Sequence, residues 1–398
     1  MSAAARNVAL YPWFKFFQNL LFWQATWFLF FQAELSAAQA VLIYVFYDVA
    51  TTVFEVPSGY LSDRIGRRVT LILSALAGLL ASVMQAVGSE FWVFALAQAA
   101  LGLHMAFASG TDSSLLYESL AEDGREEEVE AQELKAWRFN FVALAISAVM
   151  GGAMALADLR LTYYASAVAF VLCLLVVLMF REPEKRRAEG GELARLGVLG
   201  DVFKSPVLLW LFGLSAMMYG FSHLPFIFGQ PFILQALETL NLAANAPLVS
   251  GTVTALMMLI SVMTSWLAPT LRARIGLAGI LLLAFAMQIG LVAGLAITGS
   301  ALAIALLLLR MVPDSFSRPF IIARIQRELP DEVRATYLSI QSLVARLLFA
   351  GSLFLAAGAA SDVGEMSHDQ ISTVLSGYAL AGLVAFATLA IAARNRGL

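Results

Sequence analysis

One cysteine, three histidines and few charges are what this chain conspicuously lacks, and each shortage closes off chemistry. Cys173 is the only thiol in 398 residues and lies in an apolar run, so no disulfide framework and no thiolate metal site can be built. The histidines are scattered along the chain, which argues against a metal centre and against a membrane enzyme with clustered catalytic groups. Catalytic residues, metal and cofactor are therefore all expected to be none. Asp, Glu, Lys and Arg make up 13% of the residues, where soluble proteins carry about 25%. The net charge of -3, with mixed signs, offers nothing that a nucleic acid would seek. No glycine-rich nucleotide-binding loop is apparent, so energy from nucleotide hydrolysis is not expected.

What fills the chain instead is apolar. Hydrophobic residues make up 60%, and mean hydropathy is +0.80. That composition describes an integral membrane protein with no sizeable soluble domain. The first apolar run, from Tyr11 to Gln32, is long and rich in Trp and Phe. It reads as a spanning helix rather than a removed signal peptide.

A helix needs about 20 residues to cross the hydrocarbon. On that length, spans are predicted near 11–33, 38–60, 70–88, 91–116, 138–158 and 161–180. A second set lies near 206–232, 247–270, 277–297, 300–323, 334–358 and 372–393. The expected fold is all-α: twelve transmembrane helices in two six-helix halves. Residues 1–180 form the N-terminal half, 181–205 a charged cytoplasmic linker, and 206–398 the C-terminal half. Arg and Lys favour the cytoplasmic side. If residues 61–68 are cytoplasmic, nearly all Arg and Lys fall inside, including Lys185, Arg186, Arg187, Arg195 and Arg396, and only Arg160 falls in an outer loop. The outer loops carry Glu34, Glu90, Asp158, Glu238, Asp362, Glu365 and Asp369 instead. Both termini are therefore expected to be cytoplasmic. Residues 121–135 form an acidic inner loop, expected to be a solvated connector.

Between the second and third spans the sequence reads Gly59-Tyr-Leu-Ser-Asp-Arg-Ile-Gly-Arg-Arg-Val69. Gly59 and Gly66 allow a tight turn, and Arg64, Arg67 and Arg68 surround Asp63. This stretch resembles the loop signature of the major facilitator superfamily, matching it at Gly59, Leu61, Ser62, Asp63, Arg64, Gly66, Arg67 and Arg68. A fainter echo, Leu271-Arg-Ala-Arg-Ile-Gly276, lies where a repeat of the half would put it. The resemblance implies two halves with a small-molecule substrate bound between them. It implies that spans one, four, seven and ten line the cavity. It also implies an acidic partner for a loop arginine at the end of span four, where Asp112 and Glu118 stand; Asp112 with Arg67 is the expected pair, a conformational lock made in one state and broken in the other. The drug-exporter patterns of the family are incomplete: Gln98 stands where they carry arginine. Ser147-Ala-Val-Met-Gly-Gly152 lacks their Gly-Pro.

Ionisable side chains at membrane depth are candidate functional residues, because burying them is expensive. Asp48 and Glu55 lie seven residues apart on one face of span two. With His223 they are the proton-coupling candidates, a structural hydrogen-bond role being the alternative for each. His223 sits in an irregular stretch between Gly220 and Pro225. Arg310, Asp314 and Arg318 share a face of span ten, and Arg346 lies mid-depth in span eleven. Either Asp314 neutralises its neighbours, or Arg310 or Arg346 receives an anionic substrate group, for which a planar guanidinium is suited. Gln18, Asn19, Gln24 and His104 complete the cavity candidates, although a packed neutral histidine is the commoner fate of His104. The function expected is secondary active transport of a small solute by alternating access, coupled to protons, with export favoured over uptake. The substrate is expected to be anionic or zwitterionic, and the protein a monomer in a bacterial inner membrane. The alternative is a non-transporting polytopic sensor or assembly factor.

Overall fold

The computed structural model describes residues 2–35, 37–184, 192–239, 246–297, 301–331, 333–358 and 368–396. Lys185, Arg186, Arg187, Asp362 and Glu365, placed above on the two sides of the membrane, lie outside the described residues. So do the side chains of Arg195, Glu238, Asp369 and Arg396. The regular elements of the described residues are all helices, with no strand among them. Helices α1 (Ala3–Gln18) and α2 (Trp27–Glu34) share the first predicted span, and α3 (Ala37–Ile65) and α4 (Arg67–Val87) are the next two. The fourth is divided between α5 (Phe91–Ala108) and α6 (Thr111–Glu122), followed by α7 (Val129–Ala157) and α8 (Arg160–Met179). A short helix, α9 (Glu192–Val202), occupies the end of the predicted linker. Then come α10 (Pro206–Thr239), α11 (Ala246–Ser265), α12 (Ala268–Ile297) and the pair α13 (Ala301–Leu308) and α14 (Val312–Glu328). The chain ends in α15 (Arg334–Gly358) and α16 (His368–Arg396). Seven helical stretches among the described residues are long and apolar enough to cross a membrane.

Contacts divide the chain into two compact units. The first comprises Met1–Val202, Pro247–Leu259 and Ile322–Ile340; the second comprises Phe203–Ala246, Ile260–Ile321 and Gln341–Leu398. Two late stretches therefore fold with the N-terminal residues.

Helix α4 shows why this packing belongs in lipid. Its inward face is Arg67, Thr70, Leu71, Ser74, Ala75, Gly78, Ala81, Ser82 and Gln85. Its exposed stripe is Val69, Leu73, Leu76, Leu80, Val83 and Val87, recurring every three to four residues. The large apolar side chains face outward and the small and polar ones inward, the reverse of a soluble helix. In lipid, helices gain little from burying leucine; close approach of small residues and interhelical hydrogen bonds hold them instead. Gly78 is such an approach, since a Cβ there would lie 2.5 Å from the Phe170 ring of α8.

Three predicted spans are broken by short non-helical stretches. The first stops at Gln18 and restarts at Trp27. Asn19 causes the stop: its side-chain amide donates to the Lys15 carbonyl at 2.9 Å, while its backbone N–H turns back to Phe16. The side chain thus competes with the helix for its own ladder. The Phe22 N–H, freed by the unwinding, donates to Ser166 Oγ at 3.0 Å. The fourth breaks at Gly110, whose φ of 71° and contact with Leu338 both exclude a side chain. The tenth breaks at 309–311, where i→i+3 bonds tighten the chain ahead of Pro313, which has no N–H to continue α13.

Candidate functional site

In the first unit the loop signature is built around one fully buried guanidinium. Gly66, at φ 110°, separates α3 from α4 and puts Arg67 at the first position of α4. Arg67 Nη1 bonds Asp63 Oδ1 and Ser62 Oγ; Nε and Nη2 both reach Glu118, the latter at 2.7 Å. Nη2 also donates to the Asp331 carbonyl at 3.1 Å. A forked guanidinium suits this work, because it can serve several oxygens in one plane. Asp63 in turn accepts from the Thr336 N–H at 3.0 Å, from the Thr336 hydroxyl, and from the Ala335 N–H at 3.4 Å. Those are the unsatisfied donors of the first turn of α15, where a negative charge is favoured. Arg334 lies over the Tyr117 ring at 4.2 Å and bonds the Leu329 carbonyl and Asp331. Four elements are thereby tied at one point: the end of α3, the start of α4, the end of α6 and the start of α15.

The expected partner of Arg67 is corrected here. Asp112 is not beside it; Glu118 is. Asp112 lies at the start of α6, next to the Gly110 break, and pairs with Lys15 of α1 at 2.7 Å. Six residues of α6 separate the two carboxylates, enough to bring Glu118 rather than Asp112 level with the loop. Arg64 is exposed and stacks against Tyr60, and Arg68 donates to the Leu178 carbonyl at 2.9 Å. The chain after α8 reaches back as well: the Glu182 carboxylate accepts from the N–H groups of Arg67 and Arg68 at 2.7 and 2.8 Å. It caps α4, and a Cβ at Gly66 would lie 2.6 Å from it.

The coupling candidates separate. Glu55 is fully buried, whereas Asp48, two turns earlier on the same face of α3, is exposed. Asp48 thus stands at an exposed position of α3, and the expectation of a buried carboxylate there is corrected. His104 is a packed ring: Nδ1 lies 2.9 Å from the Ser74 carbonyl and its edge meets Phe170 at 4.8 Å. Gln18 accepts from Lys15 at 3.1 Å, and Asn19 and Gln24 are half-buried at the break between α1 and α2.

The second unit gathers the basic candidates. Asp314 is buried on α14, takes a bond from Gln288 at 3.2 Å, and lies 3.8 Å from Arg318. Arg310, in the turn before α14, feels the Asp314 charge. Arg346 of α15 lies over the Tyr219 ring at 5.7 Å. His223 follows one turn after Tyr219, with its Nδ1 2.7 Å from the Tyr219 carbonyl and its ring 4.2 Å from the tyrosine ring. The positive fields of Arg318, Arg346 and Arg310 all fall on this histidine. The charges of three guanidiniums, on α14, α15 and the turn before α14, thus reach a single imidazole of α10, while Asp314 neighbours Arg310 and Arg318.

The sequence pattern of the Major Facilitator Superfamily matches residues 12–354. The chain belongs to that superfamily. It is accordingly a multi-pass membrane protein of a transporter family, and the all-helical fold agrees. No curated protein matches its sequence. Among solved structures it resembles the E. coli fucose:proton symporter FucP, with TM-score 0.69 at 14% identity, over 98% of this chain and 99% of that one. It resembles the human organic anion transporter MFSD10 at 0.68 and 13%, over 97% and 100%. A bacterial homologue of the iron transporter ferroportin gives 0.68 and 16%, over 99% and 100%. At these identities the likeness is one of fold. Within this superfamily member, four participants had no sequence signal in the loop motif itself: Glu182, Thr336, the Asp331 carbonyl and Arg334. Lys15 did have one, being a cation near the start of an apolar run.

Proposed function

We propose that this protein is an alternating-access secondary transporter of a small anionic solute, driven by the proton gradient. The observation that carries the substrate class is that the charges of Arg310, Arg318 and Arg346 all reach His223, while the carboxylate of Asp314 neighbours only Arg310 and Arg318. A planar guanidinium recognises carboxylate or phosphate by two parallel hydrogen bonds, and several together make an anion site. The Arg67–Asp63–Glu118 cluster acts as the latch: it holds α15 to α3 and α6 in one state and must release in the other. We assign both termini to the cytoplasm from the distribution of Arg and Lys, and a bacterial inner membrane as the location. Efflux is the direction the family resemblance favours. The division into residues 1–180, 181–205 and 206–398 remains our reading of the two halves. That the same fold serves a fucose:proton symporter and an organic anion transporter is compatible with both proton coupling and an anionic cargo.

The experiment is flux in proteoliposomes across a panel of carboxylates, phosphates, amines and neutral sugars, with and without a pH gradient. Anions should move, and move against their gradient only when pH differs. Preferred transport of amines would overturn the substrate class. No flux of any solute, with specific binding retained, would favour the sensor.

A further inference from the structure

A second group of charges in the first unit stands apart from the latch. Lys15 of α1 is ion-paired with Asp112 of α6 at 2.7 Å and donates a further bond to Gln18 at 3.1 Å. Glu133 of α7 is 6% exposed, and its Oε1 has no hydrogen-bond partner among the described residues. The charges of Asp112 and Lys15 both act on it. Further along the same face of α7, the Trp137 Nε1 and the Asn140 Oδ1 are also buried without partners. The group thus holds one cation and two carboxylates. With every group ionised it carries an excess negative charge in a desolvated place, which is expensive.

The surroundings of Glu133 can be listed element by element. From α1 come Lys15 and the buried phenol of Tyr11, on which the charges of Glu133 and Asp112 also act. From α6 comes Asp112. On α8, Arg160, Tyr163 and Tyr164 lie at its far end, with Arg160 bound to Glu34 at 2.8 Å, while the buried thiol of Cys173 lies within reach of the Lys15 charge. In the turn before α7, Glu126 and Glu127 are exposed and Glu128 is held by Arg125 at 2.6 Å. On α7 itself stand Glu130, Lys135 and Arg138.

We infer that Glu133, with the Lys15–Asp112 pair beside it, is a proton-binding site of the first unit. Protonation converts the Glu133 carboxylate to a neutral acid, and Lys15 then serves Asp112 alone. Release sends the proton to water and leaves a carboxylate that competes with Asp112 for the ammonium of Lys15. Because α1, α6 and α7 each contribute one group, the exchange alters the contacts between three helices. This assignment deepens the proton-coupled reading above and rests on it for its role, though not for its existence.

The test is infrared titration of the purified, detergent-solubilised protein. The wild type should show a buried carboxylic acid band that disappears as pH rises, and Glu133→Gln should lack it. Asp112→Asn removes the repelling neighbour and should lower the midpoint by about one pH unit or more, the scale of a nearby charge. A band that survives in Glu133→Gln, or a midpoint that Asp112→Asn leaves in place or raises, overturns the site. If Glu133→Gln does not fold, the Asp112→Asn midpoint still decides. A wild type that titrates as described but shows no pH-driven flux retains the proton site and removes the coupled-transport reading.

Discussion

Asp63→Asn isolates the energy stored in the latch. Asparagine keeps the shape and one acceptor but removes the charge. In the structure Asp63 holds Arg67 and, at the start of α15, the Thr336 N–H and hydroxyl. Hydrogen bonds to charged groups contribute about 1.5–3 kcal/mol and neutral ones about 0.5–1.5, so each of the three should lose about 1 kcal/mol. Arg67 keeps its two-pronged bond to Glu118, which offsets part of the loss. The net should be about 2–3 kcal/mol, or roughly 30- to 150-fold in the equilibrium between latched and open states. A suitable reporter is Leu338, which is 8% exposed and packs on Gly110. Leu338→Cys puts a smaller side chain there, in a background where buried Cys173 is replaced by serine. Maleimide labelling then tracks the open population, because the thiol reacts only when the α15 segment lifts. Asp63→Asn should accelerate labelling by that factor while thermal unfolding stays cooperative. Labelling within about threefold of the parent, a range equivalent to less than 1 kcal/mol, would refute the idea that Asp63 holds the state described.

The other predictions are briefer. Gly66→Ala should lower the thermal midpoint in detergent, because alanine at φ 110°, ψ 159° is strained by about 1–3 kcal/mol and its Cβ meets Glu182 at 2.6 Å; an unchanged midpoint would show that the Glu182 cap is not formed. Arg310→Lys should weaken binding of an anionic solute about tenfold despite the conserved charge, since the bidentate fork is lost; calorimetry with equal affinities would make that arginine structural. Gly151→Val should abolish flux without abolishing membrane insertion, because the site of its Cβ is filled by the Phe22 carbonyl of the unwound stretch between α1 and α2; normal flux would mean that α7 does not support that stretch.

Hydropathy and length made the helices legible, and the loop signature made the family legible, for one physical reason. A membrane forbids unsatisfied backbone, so spans must be long, apolar and helical, and the turns between them short. The echo at residues 271–276 had a weak pattern but a firm geometry. Gly276 adopts φ 74° and Gly66 φ 110°, each after Arg-Ile and each between two helical runs. Breaks inside spans were not legible. Nothing in hydropathy distinguishes an asparagine that continues a helix from Asn19, which takes the Lys15 carbonyl for its side chain.

The site was legible as a list of costly residues, but not as a set of pairs. Depth alone cannot say which carboxylate a guanidinium meets, because one turn of helix moves a side chain by about 5.4 Å along the axis. Six residues of α6, about 9 Å along its axis, made Glu118 rather than Asp112 the partner of Arg67, and left Asp112 to Lys15. The consequence is more than a changed partner. With Glu118 in the latch, Asp112 is free to serve a different cation in α1, and α6 then carries one charge toward the latch and another toward Glu133. Helix α6 is continuous from Thr111 to Glu122, so a movement of α6 that frees Glu118 from Arg67 would displace Asp112 from Lys15 wherever α1 does not follow it. If Glu133 takes up a proton as inferred above, a single twelve-residue helix joins that site to the latch, and the coupling would be reciprocal: what favours one state at one end would favour it at the other.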